Sequence, residues 1–89
     1  MKAIVTVLGK DKVGIIARVA VKLAEYSINV LDISQTILDG NFTMVMSVDM
    51  SLCRESFGTV KAMLNELGEE MGLSIGIQRT EIFDAMYTV

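Results

Sequence analysis

The apolar residues of this chain change their period repeatedly, and the order of those changes strongly limits the folds available to it. Alternation with a period of two predicts four strands, at residues 2–8, 30–38, 42–50 and 73–79. Spacing of three and four predicts two helices, one over residues 13–26 and one that begins at Ser51 or Leu52 and stops at Gly72. The elements therefore follow one another in the order β-α-β-β-α-β.

The second and third predicted strands are joined by the clearest turn in the sequence. Asp39-Gly40-Asn41 is a hairpin signal, and the strand after it alternates between apolar and polar residues except at Val45. With right-handed crossovers, this order of elements gives a four-stranded antiparallel sheet with both helices on one face. We therefore predict a ferredoxin-like α+β sandwich with strand order 4-1-3-2. Gln35 interrupts the second strand, which is typical of an edge strand or a bulge.

Size and charge exclude several classes of function. The 89 residues predict a single domain, with a core over residues 2–80 and an extension over residues 81–89 that the pattern does not place. A net charge of -3 argues against a nucleic-acid partner, which requires a basic surface. No apolar stretch approaches the roughly 18 residues that span a bilayer, so we expect a cytoplasmic protein without a membrane partner.

The chain is poor in residues that carry chemistry. It contains no histidine, which removes the commonest general base and the commonest metal ligand, and Cys53 is its single cysteine. Met44, Met46 and Met50 form a row on one strand face, and we expect them in the core rather than at a soft-metal site. We predict no catalytic residue, no metal site and no cofactor.

Gly9-Lys10-Asp11-Lys12-Val13-Gly14, called the 9–14 turn below, joins the first strand to the first helix. The free amides of Gly14, Ile15 and Ile16 could donate to a carboxylate, and a side chain at Gly14 would crowd a ligand there. Asp11 could accept from an ammonium group, so the turn suits a zwitterion. Spacing alone also allows a tight turn without a ligand, in which Asp11 caps the helix and the lysines are solvated.

Two segments resemble the motifs of one family. Residues 9–16 resemble the opening motif of ACT domains, which reads roughly Gly-x-Asp-Arg/Lys-x-Gly-Leu/Ile-Leu/Ile/Val. Asn29-Val30-x-Asp32-Ile33 is similar to the segment that opens the second strand in that family, and residues 2–80 match its order of elements. Within the family, the chain most resembles the short stand-alone proteins related to the amino-acid-responsive regulators of glycine cleavage.

The resemblance implies a regulatory function rather than an enzyme. ACT domains usually bind amino acids or other small effectors, often at a dimer interface where the first turn of one subunit meets the second strand of its neighbour. Carried onto this chain, the candidate ligand-binding residues are Asp11, Val13, Gly14, Ile15 and Asn29. We expect a homodimer that binds a small effector, with a further partner protein possible. Some ACT domains serve only for assembly, and Asn29 could equally be a simple helix-to-strand turn residue.

Two further features leave alternatives open. Ala17, Val21 and Ala24 form an apolar row on the first helix, which either contacts a second subunit or widens the core face. Acylphosphatases share the predicted architecture and place an arginine four residues after a glycine, a spacing that Gly14 and Arg18 reproduce, with Asn29 as a water-positioning residue. The flanking residues do not match that family, so a small hydrolase is the less favoured alternative.

Overall fold

The computed structural model describes residues 1–81. Its elements are β1 (Lys2–Lys10), α1 (Ile15–Glu25), β2 (Asn29–Leu38), β3 (Asn41–Asp49), α2 (Phe57–Met71) and β4 (Ser74–Arg79). The strands pair antiparallel in the order β2-β3-β1-β4, which confirms the predicted ferredoxin-like sandwich with β1 and β3 at its centre. Apart from Glu81, the predicted extension lies outside the described residues. No helix within residues 1–81 is long and apolar enough to cross a bilayer.

The core lies between the helices and the sheet face that they cover. On β3 the predicted alternation is confirmed, because the alternate residues from Phe42 to Met50 are buried and their three methionines belong to the core. Full burial of one side chain such as Val, Leu, Ile, Phe or Met stabilises a fold by roughly 1.5–3 kcal/mol. The helices contribute Ile15, Val19 and Leu23 from α1, and Val60, Met63, Leu64, Leu67 and Met71 from α2.

β1 is longer than its pattern predicted. We expected it to end before Gly9, but Gly9 and Lys10 continue the strand by pairing with Phe42 and Asn41 of β3. A Cβ atom at Gly9 would collide with the side chain of Leu73, so the glycine allows a close approach here rather than a strand end. The strand therefore reaches the β2–β3 hairpin before the chain turns into α1.

The predicted start of α2 at Ser51 or Leu52 is wrong. Asp49 Oδ1 accepts hydrogen bonds from the backbone nitrogen of Ser51 at 2.9 Å and from its Oγ at 2.5 Å, which holds a turn here instead. The helix begins at Phe57, after Ser56, whose Oγ accepts from Thr59 N at 3.1 Å as an N-cap. Residues 50–56 thus remain outside the helix.

Candidate functional site

The 9–14 turn is held from two sides. The backbone nitrogen of Asp11 donates to the carbonyl oxygen of Gly40 in the β2–β3 hairpin at 2.9 Å. On the other side, Lys12 Nζ donates at 2.5 Å to the carbonyl oxygen of Met71, in the last turn of α2. A cation is favourable there because the C-terminus of a helix carries partial negative charge. Lys12 is therefore not simply solvated, as the ligand-free interpretation of this turn assumed.

Gly14 sets the start of α1. It occupies the N-cap position with φ 87° and ψ 6°, a left-handed conformation that L-residues rarely adopt, and no side chain caps the helix. Asp11 therefore does not cap α1, contrary to the ligand-free interpretation of the turn. A Cβ atom at Gly14 would meet nothing within 4 Å, so the backbone conformation requires the glycine while the space beside it is open. The first amides of α1 have no partner within the helix.

The predicted ligand-binding residues of the 9–14 turn differ in how far their side chains are exposed to solvent. Asp11, Val13 and Gly14 are exposed, and the side chain of Val13 contacts almost nothing. The side chain of Ile15 is only 2% exposed because it belongs to the core. Only the amide of Ile15 could therefore reach a ligand. Ile16 is 36% exposed and adds an apolar side chain next to the open space.

Asn29 lies far from this turn within one chain. It is the first residue of β2 and pairs with Asp49, whereas Leu38 at the other end of β2 pairs with Asn41, next to the turn. At about 3.4 Å per residue, the eight steps from Asn41 to Asp49 span about 27 Å. A single chain therefore brings Asp11, Val13, Gly14 and Ile15 together but places Asn29 at the opposite end of the sheet.

An open cavity of about 430 Å³ surrounds Asn29, and we call it the Asn29 cavity. Among the described residues, its lining consists of Ala24, Ser27, Ile28, Asn29, Asp49, Ser51 and Leu52. The hydrogen bonds from the side chain and backbone of Ser51 hold the pKa of Asp49 below its usual value of 3.8. The carboxylate is therefore charged at neutral pH. Asp49 was not among the residues predicted for the site, although Asp-x-Ser after a strand is a known turn signal.

The apolar surface concentrates along β2. Within residues 1–81 this strand has a partner on one side only, and every residue from Leu31 to Leu38 is exposed. Ile33 and Ile37 lie opposite the buried Met46 and Phe42, yet they are 42% and 55% exposed. They therefore share the face of the core but lie beyond the cover of the helices. Of the two alternatives that Gln35 indicated, the edge strand is confirmed. A register shift also occurs in β2, at Leu31 rather than at Gln35.

The apolar row on α1 is exposed, so the alternative of a wide core face is wrong. The row also divides between two surfaces. Ala17 and Val21 border a groove between α1 and α2, together with Leu67 of α2. Ala24 instead lines the Asn29 cavity, so only this end of the row lies near β2.

Arg18 and Asn29 do not form the arrangement of an acylphosphatase in one chain. Arg18 lies in the first turn of α1, and its guanidinium pairs with Glu70 of α2 at 3.2 Å. Asn29 follows the opposite end of α1, at the start of β2. Residues 1–81 also contain no group of three or more Cys, Asp or Glu residues placed to hold a metal ion.

Comparison with known proteins identifies the family. The family profile of the ACT domain matches residues 2–78. The chain belongs to the ACT domain family. ACT domains are regulatory and usually bind amino acids. The predicted family is thus confirmed, and a UPF0237 protein of Listeria innocua is 54% identical over 87 residues, which cover 98% of each chain.

Solved structures agree with this family. An ACT domain protein from Streptococcus pneumoniae is similar with a TM-score of 0.83 and 46% identity, over 98% of both chains. A protein assigned as a glycine cleavage system transcriptional repressor gives a TM-score of 0.74 at 23% identity, over 89% of this chain and 45% of that one. This second likeness is one of fold.

Proposed function

We propose that this ACT domain is a homodimeric, non-catalytic sensor of a small effector, most simply an amino acid. Each site would combine the 9–14 turn of one subunit with Asn29 of the partner subunit. The observation that carries the proposal is the position of these two halves at opposite ends of β2, an exposed apolar edge strand. A site divided in this way is complete only when a second copy supplies the missing half.

Antiparallel pairing of two β2 edges would bring the halves together. A two-fold axis reverses the direction of the second strand, so the start of one β2 lies beside the end of the other. The 9–14 turn is bonded to Gly40, two residues after Leu38 at the end of β2. Asn29 of the partner subunit would therefore arrive next to the turn, and both sites of the dimer would form at once.

The surface of β2 supplies a reason for such pairing. Its outer backbone groups have no partner within residues 1–81, and an edge strand of 10 residues is a template for another strand. Leu31, Ile33 and Ile37 expose large aliphatic side chains along it. Covering them would release apolar surface from water at about 25 cal/mol per Å².

The two halves have complementary hydrogen-bonding groups. The free amides at the start of α1 donate, which suits a carboxylate, and the Gly14 position leaves space for its approach. Asn29 offers both a donor and an acceptor to the other end of the ligand.

The net charge of -3 supports the absence of a nucleic-acid partner, and the single free cysteine agrees with a cytoplasmic location.

A thermal-shift screen against the twenty amino acids tests the proposal. A ligand at 100 times its dissociation constant stabilises its protein by about 2.7 kcal/mol, which a melting curve resolves. Gly14→Asp should abolish the shift, because a carboxylate beside the α1 amides would repel that of the ligand. A chain that is monomeric at micromolar concentration by light scattering would contradict the divided site.

The second candidate is an assembly module without a ligand. The internal bonds of the 9–14 turn favour it, because Asp11 N and Lys12 Nζ already have partners within the chain. Such a module would signal through a partner protein. A dimer that no amino acid stabilises would support this candidate over the sensor.

A further inference from the structure

The Asn29 cavity carries one formal charge. Among the described residues that line it, Asp49 is the only charged one. A charged carboxylate attracts a cationic group and repels an anionic one. The cavity therefore differs from the 9–14 turn, where free backbone amides favour an anion.

The carboxylate of Asp49 is fixed in position but not fully used. Both hydrogen bonds from Ser51 go to Oδ1, and no donor within residues 1–81 bonds to Oδ2. Two cations lie nearby, since the N-terminus and Lys2 both contribute to the lowered pKa of Asp49. The N-terminal ammonium donates instead to Ser51 Oγ at 3.5 Å, and Lys2 forms no ion pair with the carboxylate. Oδ2 thus remains open to a donor from a ligand.

We propose that Asp49 selects the ammonium end of the ligand: its Oδ2 accepts a hydrogen bond from that group in the Asn29 cavity. This inference rests on the proposed function, since it orients the ligand within the divided site. Asn29 and Asp49 are paired in register across β2 and β3, so both side chains start from neighbouring backbone positions. The ammonium group faces Asp49, and the carboxylate faces the 9–14 turn of the partner subunit.

The assignment changes the role of Asp11. The sequence alone made Asp11 the acceptor for an ammonium group, but its carboxylate is exposed on the same turn as the amides that would hold the carboxylate of the ligand. The two carboxylates are therefore alternative acceptors for the ammonium group. Asp49 differs from Asp11 in that two hydrogen bonds from Ser51 fix its Oδ1 and in that it lies in the other half of the site.

The test uses the amino acid that gives the largest thermal shift, together with the carboxylic acid that lacks only its amino group. Calorimetric titration of the full chain should give at least tenfold tighter binding of the amino acid. Asp49→Asn should weaken that binding about tenfold, because charge-assisted hydrogen bonds are roughly twice as strong as neutral ones. The Asn Oδ1 still accepts from Ser51, so the turn is kept. Glu66→Gln removes the same charge from an exposed residue of α2 and should leave the affinity unchanged.

The outcomes separate the two proposals. Unchanged affinity in Asp49→Asn, equal binding of the acid without its amino group, or loss of binding in Asp11→Asn alone would overturn the role of Asp49 and leave the sensor intact. Failure of every amino acid to bind would overturn the sensor itself. If Asp49→Asn does not fold, Asp49→Ser decides instead, since it also removes the carboxylate and should remove the preference for the amine; a preference that persists would overturn the role of Asp49.

Discussion

The two edges of the sheet hold the same place in the topology and differ in what covers them. β4 has six residues, and its Ile75 and Ile77 are 3% and 4% exposed because α2 packs against this strand. β2 has 10 residues, and its Ile33 and Ile37 remain largely exposed on the same side of the sheet. One edge is therefore covered by a helix, whereas the other stays exposed within residues 1–81.

The ends of the two edges differ in the same way. Arg79, the last residue of β4, lies over the ring of Phe57 in α2 at 5.6 Å, a cation–π contact that ties this edge to its helix. Short strands and charged residues are common devices that prevent edge-to-edge association. β2 carries one charged residue, Asp32, and its carboxylate accepts from the backbone nitrogen of Ile33. β2 is therefore the longer edge, and Asp32 and the register shift at Leu31 are the features along it that limit pairing with another strand.

The largest expected effect separates the two edges by stability. Ile77→Ala removes a buried side chain and should lower the free energy of unfolding by about 2–5 kcal/mol in urea denaturation. The matched change Ile33→Ala, measured at a concentration where the protein is monomeric, should stay within about 0.5 kcal/mol of the wild type. If both variants lost the same unfolding free energy, β2 would be covered within the monomer, and the two edges would not differ as described.

The next effect separates the edges by association. Ile33→Asp should weaken the dimer by about 100-fold or more, because the two-fold axis places two unpaired carboxylates in the interface. Sedimentation velocity over a concentration series measures this change. Gln78→Asp introduces the same charge at an exposed residue of β4 and should leave the dimer intact. If Gln78→Asp dissociates the dimer and Ile33→Asp does not, the interface lies at the other edge.

Local patterns were sufficient to predict the architecture. The Asp39-Gly40-Asn41 turn and the alternation after it indicated the hairpin, and the order of elements indicated which strands lie at the edges. The start of α2 could not be chosen the same way, since Ser51 and Ser56 are both plausible caps. Only the bonds from Ser51 to Asp49 decide between them. The ends of helices depend on such single contacts.

The candidate site was harder to predict, because its two halves belong to different parts of the fold. The motifs indicated the 9–14 turn and Asn29, yet their separation along β2 depends on strand pairing. The burial of Ile15 could not be read from its place in the motif, since the helical pattern allows Ile15 or Ile16 to face the core. The Asp-x-Ser pattern at Asp49 indicates a turn and not a ligand, and the cavity around Asp49 depends on residues that are distant in sequence.

The smallest effect concerns the turn that connects the two sides of the molecule. Asp11 N bonds to the hairpin beside β2, and Lys12 Nζ bonds to the end of α2, which covers β4. Lys12→Met keeps the length of the side chain but removes the bond to Met71 O and the charge at the helix C-terminus. We expect a loss of about 1 kcal/mol of unfolding free energy, measured in urea.

Lys10→Met is the matched control, because Lys10 is exposed and forms neither a salt bridge nor a side-chain hydrogen bond within residues 1–81. It should change the unfolding free energy by less than about 0.5 kcal/mol. If the two variants lose equal stability, the charge of the turn matters rather than the bond to α2. If Lys12→Met also weakens ligand binding while Lys10→Met does not, the bond to α2 holds the α1 amides in position. The helix that covers β4 would then support the ligand site near the exposed edge at β2.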